Sequence, residues 1–136
     1  MIEITSNKID REKVLGAVAH LEGGAICTFI GTVRSKTADK KVLRLEYECY
    51  EPMAIQEIQN IIDLAKVKWP VLAVAVSHRV GTLQLGDEAV VLAVSTPHRK
   101  ESFEACQFMI DTLKQTVPIW KKEIFEGGEE WVSAHP

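Results

Sequence analysis

The sequence predicts an α+β domain, with helices packed on a mostly antiparallel sheet and a small β extension at the C-terminus. Three observations carry this. Val42–Tyr50 alternates, with Leu43, Leu45, Tyr47 and Cys49 on one side and Arg44, Glu46, Glu48 and Tyr50 on the other, the pattern of a half-solvated antiparallel strand. Ile55, Ile58, Ile62 and Ala65 recur at helical spacing, as do Phe103, Cys106, Ile110 and Leu113. The segments run helix, strand, strand, helix, strand, strand, helix and then a β tail, an order suited to helices layered on a sheet. A length of 136 residues, 46% hydrophobic and 26% charged, is enough for a single domain over residues 1–136 with its own core.

The elements follow in order. A first helix is expected from Asp10 to about Leu21, stopped by Gly23-Gly24. Ala25–Val33 reads as a strand, and Arg34–Lys41 as a polar, basic loop. Pro52 opens the second helix and Trp69-Pro70 ends it. Val71–Arg79 and Glu88–Ser95 are strands joined through Gly81 and Gly86-Asp87. In the first of them Leu72, Val74 and Val76 alternate with Ala73 and Ala75, so its small face accepts a closely packed helix. Thr96-Pro97 reads as an N-cap and first-turn proline of a third helix running from Pro97 to about Thr116. After Pro118, Ile119–Phe125 and Trp131–Ala134 form short strands around Gly127-Gly128.

Several function classes are disfavoured. A net charge of −3 argues against a general nucleic-acid binder, which carries a basic excess. The longest apolar runs, Val71–Val76 and Ala89–Val94, are too short to span a bilayer. Glu3 and Asp10 stand where a signal peptide is basic and then apolar, so a soluble cytoplasmic protein is expected. Cys27, Cys49 and Cys106 are odd in number and lack CxxC spacing, so they read as small core residues. No metal-ligand spacing and no glycine-rich phosphate loop is present, so neither a metal nor a cofactor is expected.

The residues with chemical promise are local cations. His98 and Arg99 fall in the first turn of the third helix, where two cations oppose the helix dipole and a bound anion would relieve the conflict. Lys114 closes that helix, a place where lysine is ordinarily structural. Lys121 and Lys122 are neighbours in an extended segment with Ile119, Trp120 and Ile124, so one of them must face the apolar side. A lysine so placed has its charged form disfavoured, which suits acid, base or nucleophilic chemistry near neutral pH. Arg34 ends a strand and reads either as a solvated turn or as a guanidinium clamp for phosphate. His78-Arg79 also ends a strand, but nothing near it in sequence adds chemistry, and the pair reads as structural.

Five segments, taken together and in order, resemble the large, catalytic subunits of molybdopterin synthases: GAICTFIGTVR (Gly24–Arg34), LEYECYEPMA (Leu45–Ala54), WPVLAVAVSHRVGTLQLGDEAV (Trp69–Val90), TPHRKESFEACQFMIDTLKQTVPIWKKE (Thr96–Glu123) and WVSA (Trp131–Ala134). The resemblance implies an α/β hammerhead-like fold and a sulfurtransferase. Such an enzyme forms the dithiolene of molybdopterin on cyclic pyranopterin monophosphate, in molybdenum cofactor biosynthesis. The sulfur comes from the C-terminal thiocarboxylate of a small ubiquitin-like subunit. The family's essential lysines match Lys114 and Lys121. Its substrate-contacting segments match Thr32-Val33-Arg34, His98-Arg99 and Lys121-Lys122-Glu123. His135 departs from the family pattern, where arginine is common.

Arg99 and Lys114 stand at opposite ends of one helix, so a single small pterin does not reach both. A homodimer with composite sites, forming the core of a heterotetramer, is the expected assembly. Two rival readings remain: a non-enzymatic dimer sensing a phosphorylated metabolite, which needs His98-Arg99 but not the lysines, and a cysteine-persulfide sulfurtransferase, which needs a reactive cysteine.

Overall fold

The computed structural model describes residues 1–133, so Ala134 and the expectation for His135 lie outside the described residues. The first sheet has the order β1-β5-β7-β2, built from β1 (Ile2–Thr5), β2 (Ala25–Thr32), β5 (Ala73–Arg79) and β7 (Glu88–Thr96). Its β1–β5 pairing is parallel and the other pairings are antiparallel. The second sheet joins β3 (Lys36–Thr37), β4 (Lys40–Cys49), β8 (Ile119–Phe125) and β9 (Gly128–Ser133) in that order, with β6 (Gly81–Gln84) also paired to β4. Three helices complete the α+β architecture: α1 (Arg11–Ala17), α2 (Glu51–Lys68) and α3 (Arg99–Thr116).

Both faces of the first sheet are covered, and the alternation of β5 decides what covers each. Val74 and Val76 face α2 and α3, in a core with Ile58, Ile62, Met109 and Leu113. Ala75, on the other face, packs with Ala93 and Val91 against Val14 and Val18, at α1 and its end. The small side chains there allow a short helix to lie close to the sheet. Val42, Leu45 and Leu83 of the second sheet close a third cluster with Val33 and Ala89.

Several boundaries differ from those expected. The first helix is shorter than Asp10–Leu21. Asp10 is its N-cap, accepting a hydrogen bond from the Lys13 N–H at 3.1 Å, and the helix ends at Ala17. The third helix starts at Arg99 instead of Pro97. Thr96 still belongs to β7, and its Oγ1 donates to the His98 carbonyl at 2.6 Å across a bend at Pro97. His98 is therefore the N-cap and makes no side-chain capping bond. β1, β3 and β6 were not expected; β3 turns the basic loop into a hairpin with β4, pairing Thr37 with Lys40.

The apolar stripes keep Ile58, Ile62 and Ala65 on α2 and Cys106, Ile110 and Leu113 on α3, but each loses its first expected member. Phe103 and Ile55 are exposed, while Ala105 and Met109 on α3 and Ala54 and Ile61 on α2 take the buried places. On β4 a bulge between Val42 and Arg44 reverses the alternation, burying Val42 and exposing Leu43.

One glycine is fixed by close approach. The Gly24 N–H donates to the Thr96 carbonyl at 3.1 Å, and a Cβ on Gly24 would overlap the Pro97 carbonyl oxygen. Backbone cannot swing away as a side-chain tip does, so Gly24→Ala should cost about 3 kcal/mol, the upper part of the overpacking range. Thermal unfolding should show it as a loss of about 10 °C. A variant as stable as the parent would mean that the Pro97–His98 segment is free to shift.

Candidate active site

The two sheets and the C-terminal end of α3 enclose a cavity of about 320 Å³. Each wall contributes for a local reason. Lys114 lies in the last turn of α3, on the flank of the stripe that buries Ile110 and Leu113. On β8 the side-chain period of two puts Ile119, Lys121 and Glu123 on the cavity side. Thr32 and Arg34 enter from the end of β2 and the residues after it, and Tyr47 from β4.

Of the residues singled out in the sequence, the fold thus brings Thr32, Arg34, Lys114, Lys121 and Glu123 around one space. The other four lie elsewhere. Val33 is 4% exposed and packs in the cluster behind the wall. Its N–H donates to the Asp87 carbonyl at 2.9 Å. Lys122 points to the opposite face of its sheet, where Nζ sits 3.7 Å from carboxylate oxygens of Glu46 and Glu129 and 4.8 Å from the centre of the Trp131 ring. His98 and Arg99 stand at the far end of α3 from Lys114. Their separation of fifteen residues is roughly 22 Å at ~1.5 Å per residue.

The cavity is electrostatically unusual because three cations share it. Burial disfavours the charged form of Lys114 most, and the charges of Lys121 and Arg34 lower its pKa further. Burial pushes the Tyr47 phenol up to about 12, helped by the Glu123 carboxylate, so this hydroxyl stays protonated and can donate. Glu123 is only 4% exposed and accepts a hydrogen bond from Thr37 Oγ1 at 2.7 Å. A buried carboxylate beside lysines holds both signs of charge in one pocket, suited to a ligand with an anionic group and N–H donors.

Sequence reasoning did not assign two members of the wall to the site: His78, read as structural, and Tyr47. The signal for His78 was present. Continuing the Val74, Val76 alternation by one step puts residue 78 on the helix-covered face of β5. Tyr47 was legible only as an inward-facing strand residue, because nothing local in sequence announces the cavity it meets.

Cys49 and Cys106 are poorly suited to carry sulfur. Burial, with the neighbouring Cys27, pushes the Cys106 thiol up to about 12. Burial and Glu51 raise that of Cys49. Both shifts disfavour the nucleophilic thiolate. Among the described residues no helix is long and apolar enough to cross a membrane.

Comparison with known proteins places the chain in a family. The MoaE protein family matches residues 4–116. A molybdopterin synthase catalytic subunit from Bacillus subtilis is 51% identical over 130 residues, covering 96% of this chain and 83% of the relative. A crystal structure of molybdopterin synthase from Staphylococcus aureus superposes with a TM-score of 0.92 at 42% identity, covering 96% of this chain and 95% of the other. A complex of subunits 1 and 2 of molybdopterin-converting factor from Helicobacter pylori contains a chain with the same fold, at a TM-score of 0.79 and 22% identity, with 96% and 89% covered. On sequence and fold together, the chain belongs to the MoaE protein family, that of the molybdopterin synthase catalytic subunits.

Proposed function

We propose that the chain is the sulfurtransferase of a molybdopterin synthase. It takes sulfur from the C-terminal thiocarboxylate of a small ubiquitin-like subunit and places it on cyclic pyranopterin monophosphate, forming the dithiolene of molybdopterin. The observation that carries this is the convergence of Arg34, Lys114 and Lys121 on one cavity that also holds the buried Glu123. Arg34 supplies a fork for the cyclic phosphate. Lys114 and Lys121 supply proton transfer and stabilise developing oxyanions. Thr32 and Glu123 complete the substrate wall. Val33 and Lys122 contribute through backbone and through the shape of the strand, since their side chains lie off the cavity.

The thiols of Cys49 and Cys106 are held protonated, which favours delivered sulfur over a persulfide on this chain. Delivery by a narrow, flexible glycine tail suits a cavity of about 320 Å³ better than docking of a globular donor surface would. The subunit complex known for the Helicobacter pylori relative supports such a partner. His98 and Arg99 join the site by coming from a second copy. The working assembly is then a cytoplasmic homodimer with one small subunit at each end.

The test mixes the chain with the thiocarboxylated partner and the pterin precursor and assays dithiolene product. Product should form, and removing the last two residues of the partner should abolish it. Equal product from the truncated partner, or from free sulfide at low concentration, would sink tail delivery.

A further inference from the structure

His78 is a buried imidazole in the cavity wall for which the proposed sulfur transfer has no use. It is 4% exposed, at the cavity end of β5. Its Nδ1 lies 2.8 Å from the Arg79 carbonyl oxygen. A carbonyl oxygen only accepts, so Nδ1 carries the proton and donates. The ring of Tyr47 stands edge-on to the imidazole, centroids 5.4 Å apart at 70°, and fixes its plane. Burial, aided by the charge of Lys114 and opposed by the Arg79 carbonyl, brings its pKa to about 4, so the ring is neutral at working pH. A neutral imidazole whose Nδ1 donates has one remaining function, a lone pair on Nε2.

The neighbours around that lone pair decide its role. Lys114 on α3, Lys121 on β8 and Arg34 after β2 share the cavity and are donors without acceptors. Tyr47 on β4 keeps its proton. Glu123 on β8 is the carboxylate of the wall, and its Oε2 already receives the Thr37 hydroxyl. Lys114 lines the same cavity as His78, and its charge lowers the pKa of the ring. Lysine has a long, flexible stem, and hydrogen bonds of a working site often close only when it is occupied.

We propose that His78 is a positioning residue for Lys114, its Nε2 accepting a hydrogen bond from the lysine Nζ and holding that amine at a fixed point of the cavity. The proposal rests on the sulfur-transfer reading only for the importance of Lys114; the hydrogen bond itself is a property of this chain. Its electrostatic consequence has a definite sign. An acceptor stabilises the ammonium form, so it counters the lowering that burial, Lys121 and Arg34 impose on Lys114. Without Nε2, Lys114 loses its proton at a lower pH.

The experiment reads that proton directly. Lys114 is acylated by acetic anhydride across a pH series, and its modification is quantified by peptide mass in the parent, His78→Leu and His78→Gln. The midpoint for Lys114 should fall by about one pH unit in His78→Leu and return most of the way in His78→Gln, whose amide oxygen can take the place of Nε2. In the sulfur-transfer assay, kcat of His78→Leu should drop about tenfold with KM little changed, and His78→Gln should recover much of it. Should His78→Leu not fold, His78→Phe keeps a ring against Tyr47 and should show the same fall. An unmoved Lys114 midpoint in a folded Leu or Phe variant overturns the proposal, whatever happens to turnover. Because acylation does not depend on sulfur transfer, this result separates failure of the positioning role from failure of the proposed function.

Discussion

Replacing Lys114 or Lys121 with alanine should lower turnover by ~10²–10⁴-fold, the range lost when a positioned acid or base is removed. Stability should barely change, and the structure says why. Lys114 is only part-buried in the last turn of α3, a helix held by Ala105, Met109, Ile110 and Leu113. Removing it forfeits a favourable charge at the helix C-terminus, worth at most about 2 kcal/mol, and relieves the repulsion with Lys121 and Arg34. Lys121 sits mid-strand, paired through its backbone to Tyr47 on β4 and Val132 on β9, so truncating its side chain leaves the ladder intact. The rate should also carry the lysine's signature in pH. The pKa of Lys114 lies below that of an ordinary lysine, so a step needing the free amine gains rate as pH rises, at a lower pH than free lysine would allow. Single-turnover rates measured beside thermal melts separate the two effects. Near-parental rates in both variants would remove the lysines from the chemistry.

Two inactive proteins should make an active one. Arg99→Ala, at the start of α3, and Lys114→Ala, at its end, damage groups roughly 22 Å apart at ~1.5 Å per residue. If each site takes its lysines from one copy and His98-Arg99 from the other, a mixed dimer holds one intact site and one doubly damaged site. Random exchange of equal amounts makes half the dimers mixed, so about a quarter of the parental activity should return. The measurement is turnover before and after exchange, with mixed dimers quantified by mass spectrometry of differently tagged copies. Mixed dimers that form and remain inactive would show that the sites are not shared.

Much of this fold was legible from period alone. The β4 alternation, the apolar stripe of α2 and the β5 faces follow from spacing that burial of one side requires. What stayed hidden was decided by partners distant in sequence. β1 is four residues long and becomes a strand because it pairs with Ile2 opposite Val76 and Thr5 opposite Arg79. The bulge that exposes Leu43 lies where β4 meets β8, some eighty residues later, and no local pattern encodes it. The start of α3 was misplaced because Thr96 and Pro97 mimic a capping signal, whereas the Thr96 hydroxyl bonds to the His98 carbonyl and the chain bends there, so that His98 becomes the N-cap. The same contrast holds at the cavity. Lys114, Lys121 and Arg34 stood out as cations in telling places, while His78 was set aside because only the folded chain brings charged residues to it.

α3 also sets a limit on how such a chain can change in length. It runs without interruption for 18 residues, with Arg99 first and Lys114 in its last turn. One residue inserted anywhere inside it would turn the following part by about 100° and push it ~1.5 Å along the axis. The buried stripe and Lys114 would then no longer face the sheet and the cavity together. Length variation is therefore confined to places such as the β3–β4 and β8–β9 turns, at Ala38-Asp39 and Glu126-Gly127, where an added residue moves nothing but itself. The helix acts as a ruler, and lineages descended from a common ancestor should keep its residue count fixed while their hairpin tips drift.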